Sequence, residues 1–291
     1  MTIDQEKRFR YIKRILLITL ALNWGVALAK IFYGYATSFT SMMADGFHSL
    51  ADGASNIIGL IGITLARRLP DKDHPYGHKK YETLFSLAIA GMLFFVCFNL
   101  FSEGLKRLHS HAVPQIDAVS MAVMLITISI NICVMIYENR AGRRLNSDIL
   151  VSDSLHTRAD IFTSASVIIA MVVIRLGYPI LDPIVTIMIA LFIAYAAFSI
   201  AKGSSKVLCD EIVISDDKKI AEVVMAVKGV RACHKIRTRG RVDDIHVDLH
   251  VQVNPDMHVD RAHDISYRIE VAIKSCISGV TDVVVHIEPK K

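Results

Sequence analysis

Residues 180–202 read ILDPIVTIMIALFIAYAAFSIAK, with no charged side chain between Asp182 and Lys202. A hydrocarbon core about 30 Å thick needs about 20 predominantly apolar residues in a helix, so this run predicts a transmembrane helix. Five similar runs precede it, at roughly 12–34, 41–66, 81–106, 116–138 and 149–175. The sequence therefore predicts a membrane domain of six transmembrane helices.

The composition agrees with a membrane location. Hydrophobic residues make up 53% of the 291 residues and charged residues 21%, against about 45–50% and 25% in soluble chains. The mean hydropathy is +0.42. The five cysteines form no CxxC pair, which argues against a disulfide framework or a zinc ribbon. The chain also lacks a GxxxxGK[ST] loop, so an ATP-driven pump is not expected.

The net charge of +5 is placed at the ends of the apolar runs. Lys and Arg are concentrated in three segments, 7–14, 67–80 and 140–144, and are sparse in the alternate loops. Because cytoplasmic loops carry the excess of basic residues, this pattern predicts that the N- and C-termini are both cytoplasmic. The charge is thus explained by topology in the lipid bilayer, and no nucleic acid partner is expected.

A different composition begins after Gly203, where apolar runs shorten and charge becomes dense. Helical spacing predicts helices at 215–228 and 259–277, and alternation predicts two strands within 234–254 and a last strand at 281–289. The order α-β-β-α-β predicts a small cytoplasmic α+β domain of ferredoxin-like type. The expected division is 1–206 for the membrane domain and 207–291 for the soluble one.

Two pairs of ionisable residues lie inside predicted spans. MMADGFHSLADGASN places His48 and Asp52 four residues apart in the second span, and DSLHTRADIF places His156 and Asp160 likewise in the fifth. Charged groups in lipid cost at least about 2.5–3.5 kcal/mol each on insertion scales, so they mark interior functional sites. Two imidazoles and two carboxylates would complete a tetrahedral shell around a zinc-like ion.

Two further carboxylates accompany these pairs: Asp45 lies one turn before His48, and Asp153 one turn before His156. Asp45 could add an oxygen ligand and favour Fe(II) or Mn(II). The alternative interpretation is that the pairs are buried polar groups that hold helices together. Two matching pairs in different spans favour the metal site.

The loop PDKDHPYGHKKYE offers a second candidate site, because Asp71, His74 and His78 can gather on a short, turn-rich segment. The alternative interpretation is that these three side chains are exposed to water and bind no metal. The neighbouring Lys79 and Lys80 would repel a cation, which favours a weak or regulatory site.

The soluble domain holds six of the twelve histidines. His286 and Glu288 fall on one face of the last predicted strand, and His250 falls on the polar face of another. This placement predicts a metal site bridged by a carboxylate, with a polar sheet face exposed to water as the alternative.

These motifs resemble those of the cation diffusion facilitator family, and the resemblance covers nearly the whole chain. It implies a transport site at His48, Asp52, His156 and Asp160, and a variable interfacial site on the loop motif DxxHxxxH at Asp71, His74 and His78. It implies a binuclear cytoplasmic cluster at His234, His250, His263, His286 and Glu288. Glu288 departs from a relative that has Asp there, and its longer arm would alter the bridging geometry.

The resemblance also implies a function. Members are homodimeric exporters that exchange a divalent metal ion for protons, and their dimer has a charge interlock that would correspond to Lys80 and Asp210. The expected protein is therefore an antiporter of the bacterial inner membrane and not an enzyme. Zn(II) suits the two-nitrogen, two-oxygen donor set, while Fe(II), Mn(II) and Co(II) stay open. Two other classes of protein are alternatives to the antiporter. One is a membrane-bound metal sensor, and the other is an intramembrane hydrolase, which would need an open coordination position on its metal ion.

Overall fold

The computed structural model describes residues 3–36, 49–50, 53–109, 118–175 and 181–290. The chain divides into two compact units, Met1–Ser204 and Ser205–Lys291. Each unit is described by itself.

The first unit is helical. Its helices are α1 (Ile3–Ala36), α2 (Ala54–Ala66), α3 (Lys80–His109), α4 (Ala118–Leu145), α5 (Asp148–Arg175) and α6 (Leu181–Leu208). These helices coincide with the predicted apolar runs but extend further, by nine residues at the start of α1 and seven at the end of α4. Most of the first half of the predicted 41–66 span lies outside the described residues.

Within the described ranges, four helical segments are long and apolar enough to cross a membrane: Gln5–Phe32, Lys80–Lys106, Met121–Leu145 and Pro183–Leu208. The described part of α2 is a shorter apolar helix. α5 differs from the four because its first half carries Asp148, Asp153, Arg158 and Asp160. A helix with this many charged groups needs polar neighbours inside the bundle.

The outer surface of the first unit is apolar. Phe95 and Phe98 on α3 are each 67% exposed, and Tyr195 and Phe198 on α6 are also exposed. Exposed apolar side chains on this scale are unusual for a monomer in water, and they suit contact with lipid chains.

Close packing joins α2 to its neighbours through small residues. A Cβ atom on Gly62 would lie 2.6 Å from Cβ of Phe85 on α3 and 2.8 Å from Cδ1 of Ile149 on α5. Gly62 therefore allows three helices to meet where any larger residue would collide. Ile149 belongs to a buried cluster with Ile12 and Ile63, so the contact lies in the core of this unit.

A buried ion pair ties α1 to α3. Nη2 of Arg8 lies 3.1 Å from Oε2 of Glu82, and the two side chains are 13% and 1% exposed. Arg8 also donates to the backbone carbonyls of Leu145 and Asn146, at 2.7 and 2.9 Å. One guanidinium thus connects α1, α3 and the connection from α4 to α5.

The second unit has the predicted order α-β-β-α-β. It consists of α7 (Lys218–Met225), β1 (Ala232–Arg241), β2 (Asp244–Val253), α8 (Val259–Cys276) and β3 (Val280–Pro289). The sheet order is β1-β2-β3, with β1 antiparallel and β3 parallel to β2. The α+β prediction is confirmed.

Alternation along β2 builds the core of this unit. Ile245, Val247, Leu249, Val251 and Val253 are buried on one face of the strand. They pack with apolar side chains of α7 and α8 in one cluster, because residues two apart on a strand share a face. The opposite face of the sheet is therefore left for polar residues.

β1 contains a bulge. His234 pairs with His250, but the next pair joins Arg237 to Asp248, so β1 has one more residue than β2 across this step. Lys235 adopts a φ of 51° within it. Cys233 and Ile236 pack toward the core on either side, which leaves His234 on the polar face.

Candidate metal centres

α5 supplies one half of the predicted transport site. His156 is 2% exposed, and Asp160 follows it by four residues on the same helix, so both side chains lie on one helical face. Their predicted partners His48 and Asp52, together with Asp45, lie outside the described residues. The four-ligand site therefore stays a prediction.

A polar cavity adjoins this half-site. It has a volume of about 30 Å³ and is lined by Asn23, Val26, Ser49, Thr127, Asn131, Thr157 and Asp160, which is enough space for a water molecule. The lining comes from α1, α4 and α5 together with Ser49. A carboxylate, amides and hydroxyls around one small space can coordinate or solvate a cation.

The sequence interpretation missed Asn23, Thr127, Asn131 and Thr157. Asn23, Thr127 and Asn131 are uncharged polar residues within apolar runs, which ordinarily indicate helix packing. Thr157 lies between His156 and Arg158 and draws less attention than these ionisable neighbours. The spacing of Thr127 and Asn131, four residues apart on α4, is a signal that both face the same neighbour.

Two carboxyl groups are buried behind the cavity. Asp153 on α5 and Glu138 on α4 are both fully buried, and their side chains interact with each other. Thr157 donates to Oε2 of Glu138 at 3.5 Å, and Asn56 of α2 donates to Oδ2 of Asp153. Such buried carboxyl groups need donors to offset lost hydration.

The loop candidates come together. Oδ1 of Asp71 lies 3.3 Å from Nδ1 of His74, and Oδ2 of Asp71 lies 3.3 Å from Nε2 of His78. The three residues each offer a ligand atom, with all three atoms within 4.8 Å of one another. The backbone N–H of His74 donates to Oδ1 of Asp71 at 2.7 Å, and this bond is the main cause that lowers the pKa of Asp71.

The ring of His78 is oriented by the backbone. Its Nδ1 lies 3.1 Å from the carbonyl oxygen of Leu69, which can only accept, so Nδ1 carries a hydrogen and Nε2 is the nitrogen that can offer a lone pair to a metal ion. Nε2 is the atom that faces Asp71. A histidine whose other nitrogen donates to a carbonyl is the usual arrangement of a metal ligand.

In the second unit, strand register aligns three histidines. His234 on β1 pairs with His250 on β2, and His250 pairs with His286 on β3. The ring centroids of His234 and His250 are 5.5 Å apart, and those of His250 and His286 are 4.6 Å apart. The row lies on the sheet face opposite the helices.

Glu288 joins this row. Its carboxylate lies 2.7 Å from Nδ1 of His250, 3.2 Å from Nε2 of His234 and 3.8 Å from Nε2 of His286. The bond to His250 is the main cause that lowers the pKa of Glu288, which keeps the group anionic and able to bind a cation. His234, His250 and Glu288 can each place a ligand atom within one 4.8 Å cluster.

The structure does not bring His263 to this cluster within one chain. His263 is an exposed residue of α8, whose apolar face packs on the other side of the sheet. Its membership in the site stays a prediction. Lys80 and Asp210, the predicted charge interlock, belong to different units and also stay a prediction.

Comparisons with known proteins identify the two parts of the chain. Residues 16–209 match the cation efflux transmembrane domain, and residues 214–290 match the cation efflux protein cytoplasmic domain. The C-terminal domain is thus cytoplasmic, and the chain is an integral multi-pass membrane protein.

Relatives match along most of the chain. An uncharacterized transporter of Methanocaldococcus jannaschii is 32% identical over 278 residues, which cover 94% of this chain and 96% of the relative. The manganese efflux system protein MneS of Bacillus subtilis is 27% identical, with 89% of each chain covered. Metal tolerance protein C1 of Arabidopsis thaliana is 26% identical over 95% of this chain and 62% of its own length.

A solved structure of MamM CTD is similar to the C-terminal part of the chain. It is 29% identical, covers 26% of this chain and 93% of its own, and has a TM-score of 0.25. The two domain matches together span nearly the whole sequence. The chain therefore belongs to the cation diffusion facilitator family, whose members are divalent metal efflux transporters and not enzymes.

Proposed function

We propose that this transporter exports Zn(II) from the cytoplasm in exchange for protons. The observation that carries the proposal is the pair His156 and Asp160, one turn apart on α5, with Asp160 lining a polar cavity inside the helical unit. With His48 and Asp52 from the second span, the donor set would be two nitrogens and two oxygens. This set suits four-coordinate Zn(II).

Proton coupling follows from competition for the same ligand atoms. A metal ion needs neutral imidazole and ionised carboxylate. Protonation of His156 or of an aspartate in the site therefore releases the ion, and deprotonation allows the next ion to bind. Each half of the cycle uses the same side chains.

The proposed transporter has the two domains that the sequence predicts. Residues 1–206 form a six-helix transport domain, with 41–66 as the second span, and residues 207–291 form the cytoplasmic domain that binds metal and dimerises. We place the homodimer in a bacterial inner membrane with both termini cytoplasmic. Lys80 and Asp210 form its charge interlock.

The cytoplasmic cluster fits a metal ion of its own. His234, His250, His286 and Glu288 would hold it, because the Glu288 carboxylate lies within 3.8 Å of a ring nitrogen of each of the three histidines. A bound ion would neutralise Glu288 and fix the three strands relative to one another. It would stabilise the dimer or sense cytoplasmic metal, and the Asp71 loop would bind more weakly.

Mn(II), Fe(II) and Co(II) are the alternative substrates. One relative is a manganese efflux protein by name, and the amide and hydroxyl oxygens of the cavity suit harder ions than Zn(II). A metal sensor would use the cytoplasmic cluster alone. The hydrolase alternative is discarded because the family is one of transporters.

Metal flux into proteoliposomes tests the proposal. The purified dimer is exposed to Zn(II), Fe(II), Mn(II) and Co(II) under an imposed proton gradient, beside Asp52→Ala and Asp160→Ala. We expect gradient-driven Zn(II) flux that both variants abolish. His258→Ala, an exposed histidine outside the cluster, is the matched control. Flux of another metal alone would replace Zn(II), and no flux of any metal from folded dimers would favour the sensor.

A further inference from the structure

A chain of side-chain amides runs from a buried carboxylate to the cavity. Nδ2 of Asn23 on α1 donates to Oδ1 of Asn56 on α2 at 3.1 Å. Nδ2 of Asn56 in turn donates to Oδ2 of Asp153 on α5 and to Oγ1 of Thr19 at 3.3 Å. Three helices are joined by this chain.

The carboxyl group of Asp153 determines the orientation of the side-chain amides of Asn56 and Asn23. Oδ2 of Asp153 accepts the hydrogen bond, so Asn56 presents its Nδ2 to the carboxyl group. The carbonyl oxygen of Asn56 then faces Asn23, and Asn23 must present its own Nδ2. Among the acceptor atoms of these two amides, Oδ1 of Asn23 is the one that the hydrogen bonds of this chain do not use.

Burial makes the orientation costly to reverse. Asp153 is fully buried and Asn56 is 1% exposed, so water cannot supply the hydrogen bond that a reversed amide would lose. A reversed Asn56 would also place its carbonyl oxygen against the carboxylate. The order of donors and acceptors is therefore fixed from α5 to α1.

Asn23 connects this ordered chain of hydrogen bonds to the cavity. It lines the cavity together with Asn131, Thr157 and Asp160. Among the residues that the structure describes, no donor bonds to Oδ1 of Asn23. An amide oxygen that lines the same small polar cavity as an aspartate is of the kind that coordinates divalent cations.

We propose that Asn23 contributes its side-chain oxygen to the transported metal ion, and that Asp153 positions it through Asn56. The inference rests on metal transport through this cavity, as proposed above. Asn23 contacts the ion, whereas Asn56 and Asp153 act as positioning residues. The amide oxygen adds a neutral, hard donor to the ligands of α5, so it contributes to selectivity among divalent metals.

The first test measures transport kinetics of Asn23→Ala in proteoliposomes, with the metal that the wild type transports. Loss of an ion-contacting oxygen should raise KM about tenfold, in the range found when partners of metal sites are removed. The control is Asn139→Ala: this α4 residue donates to Ser154 and is not among the cavity-lining residues. Its KM should stay at the wild-type value.

The second test uses Asp153→Asn, which preserves the size of the side chain but lets it donate as well as accept. The orientation of Asn56 is then no longer enforced, and KM should rise in the same direction as in Asn23→Ala. In the double variant Asn23→Ala/Asp153→Asn, the second change should add nothing to KM. A purely structural role of Asp153 would instead give effects that multiply.

The outcomes separate this inference from the proposed function. Absence of flux in the wild type would remove the proposed function itself. Wild-type flux with an unchanged KM in Asn23→Ala would overturn the inference alone, as would multiplying effects in the double variant. Equilibrium binding of the same metal to detergent-purified dimers gives a second readout, in which both single variants should bind about tenfold more weakly.

Discussion

Arg8 on α1 and Glu82 on α3 form an ion pair in which the carboxylate is almost wholly shielded from water, with 1% of its side chain exposed. Removing one partner of a buried ion pair costs about 3–5 kcal/mol. Arg8→Ala should therefore lower the thermal unfolding midpoint of the detergent-solubilised protein markedly.

The control for this prediction is Arg67→Ala. Nη2 of Arg67 lies 2.9 Å from Oε1 of Glu6, but both side chains are nearly half exposed. An exposed pair contributes at most about 1 kcal/mol. Equal losses in the two variants would show that the Arg8 pair gains nothing from its burial.

Gly62 should not tolerate a methyl group. In Gly62→Ala the new Cβ atom would meet Phe85 and Ile149 at 2.6 and 2.8 Å, and overpacking of this kind costs about 1–3 kcal/mol. Gly91→Ala on α3 has nothing within 4 Å of the new atom, so helix propensity alone should make it neutral or stabilising. The thermal unfolding midpoints of Gly62→Ala and Gly91→Ala, each compared with that of the wild type, test this prediction.

Histidines of the cytoplasmic cluster should contribute unequally to metal binding. Nδ1 of His250 lies 2.7 Å from Glu288, whereas His286 lies 3.8 Å away and is 63% exposed. In competition with a chelator, His250→Ala should lose more cytoplasmic-site affinity for Zn(II) than His286→Ala. His258→Ala, whose side chain is 72% exposed, should lose none. A larger loss in His286→Ala than in His250→Ala would contradict the geometry.

His246 should make the stability of the cytoplasmic domain depend on pH. The hydrogen bond to Asp244 is the main cause that raises the pKa of His246, and Asp282 adds to it. A group whose pKa is raised by folding stabilises the folded state fully below its ordinary pKa, near 6.5. That stabilisation is lost as the pH rises through the raised value.

Unfolding of the wild type and of Asp244→Asn at several pH values between about 5 and 8 tests this prediction. The gap in unfolding midpoint between the two proteins should be widest at the acidic end and should narrow toward pH 8. A gap that is constant over the range would mean that protonation of His246 does not contribute.

The sequence predicted the elements well where one periodicity dominates. The 149–175 run became α5 at Asp148–Arg175, and the alternation in β2 correctly separated the core residues from His246, Asp248 and His250. Patterns of this kind are fixed by local geometry and burial. The convergence of Asp71, His74 and His78 was also predictable, because they lie within eight consecutive residues.

The chain of amides that leads to the cavity was not predictable. Asn23, Asn56 and Asp153 come from three helices, and the spacing within any one of these helices does not indicate which polar residue of another helix it meets. Their meeting depends on how the helices rotate and pack, which no single periodicity encodes. Likewise, the pairing of His250 with His286 depends on the register of two strands that are separated in sequence by a helix.

The bulge in β1 has a consequence for sequence length. Cys233 and Ile236 both face the core although they are three residues apart, because β1 has one more residue than β2 between the His234 and Arg237 pairs. Deleting Lys235 would restore the two-residue repeat along Cys233, His234 and Ile236, and it would leave His234 on the polar face opposite His250. A single-codon deletion at this bulge should therefore spare the metal cluster, whereas a deletion of one residue within the regular alternation of β2 would turn His250 to the other face of the sheet.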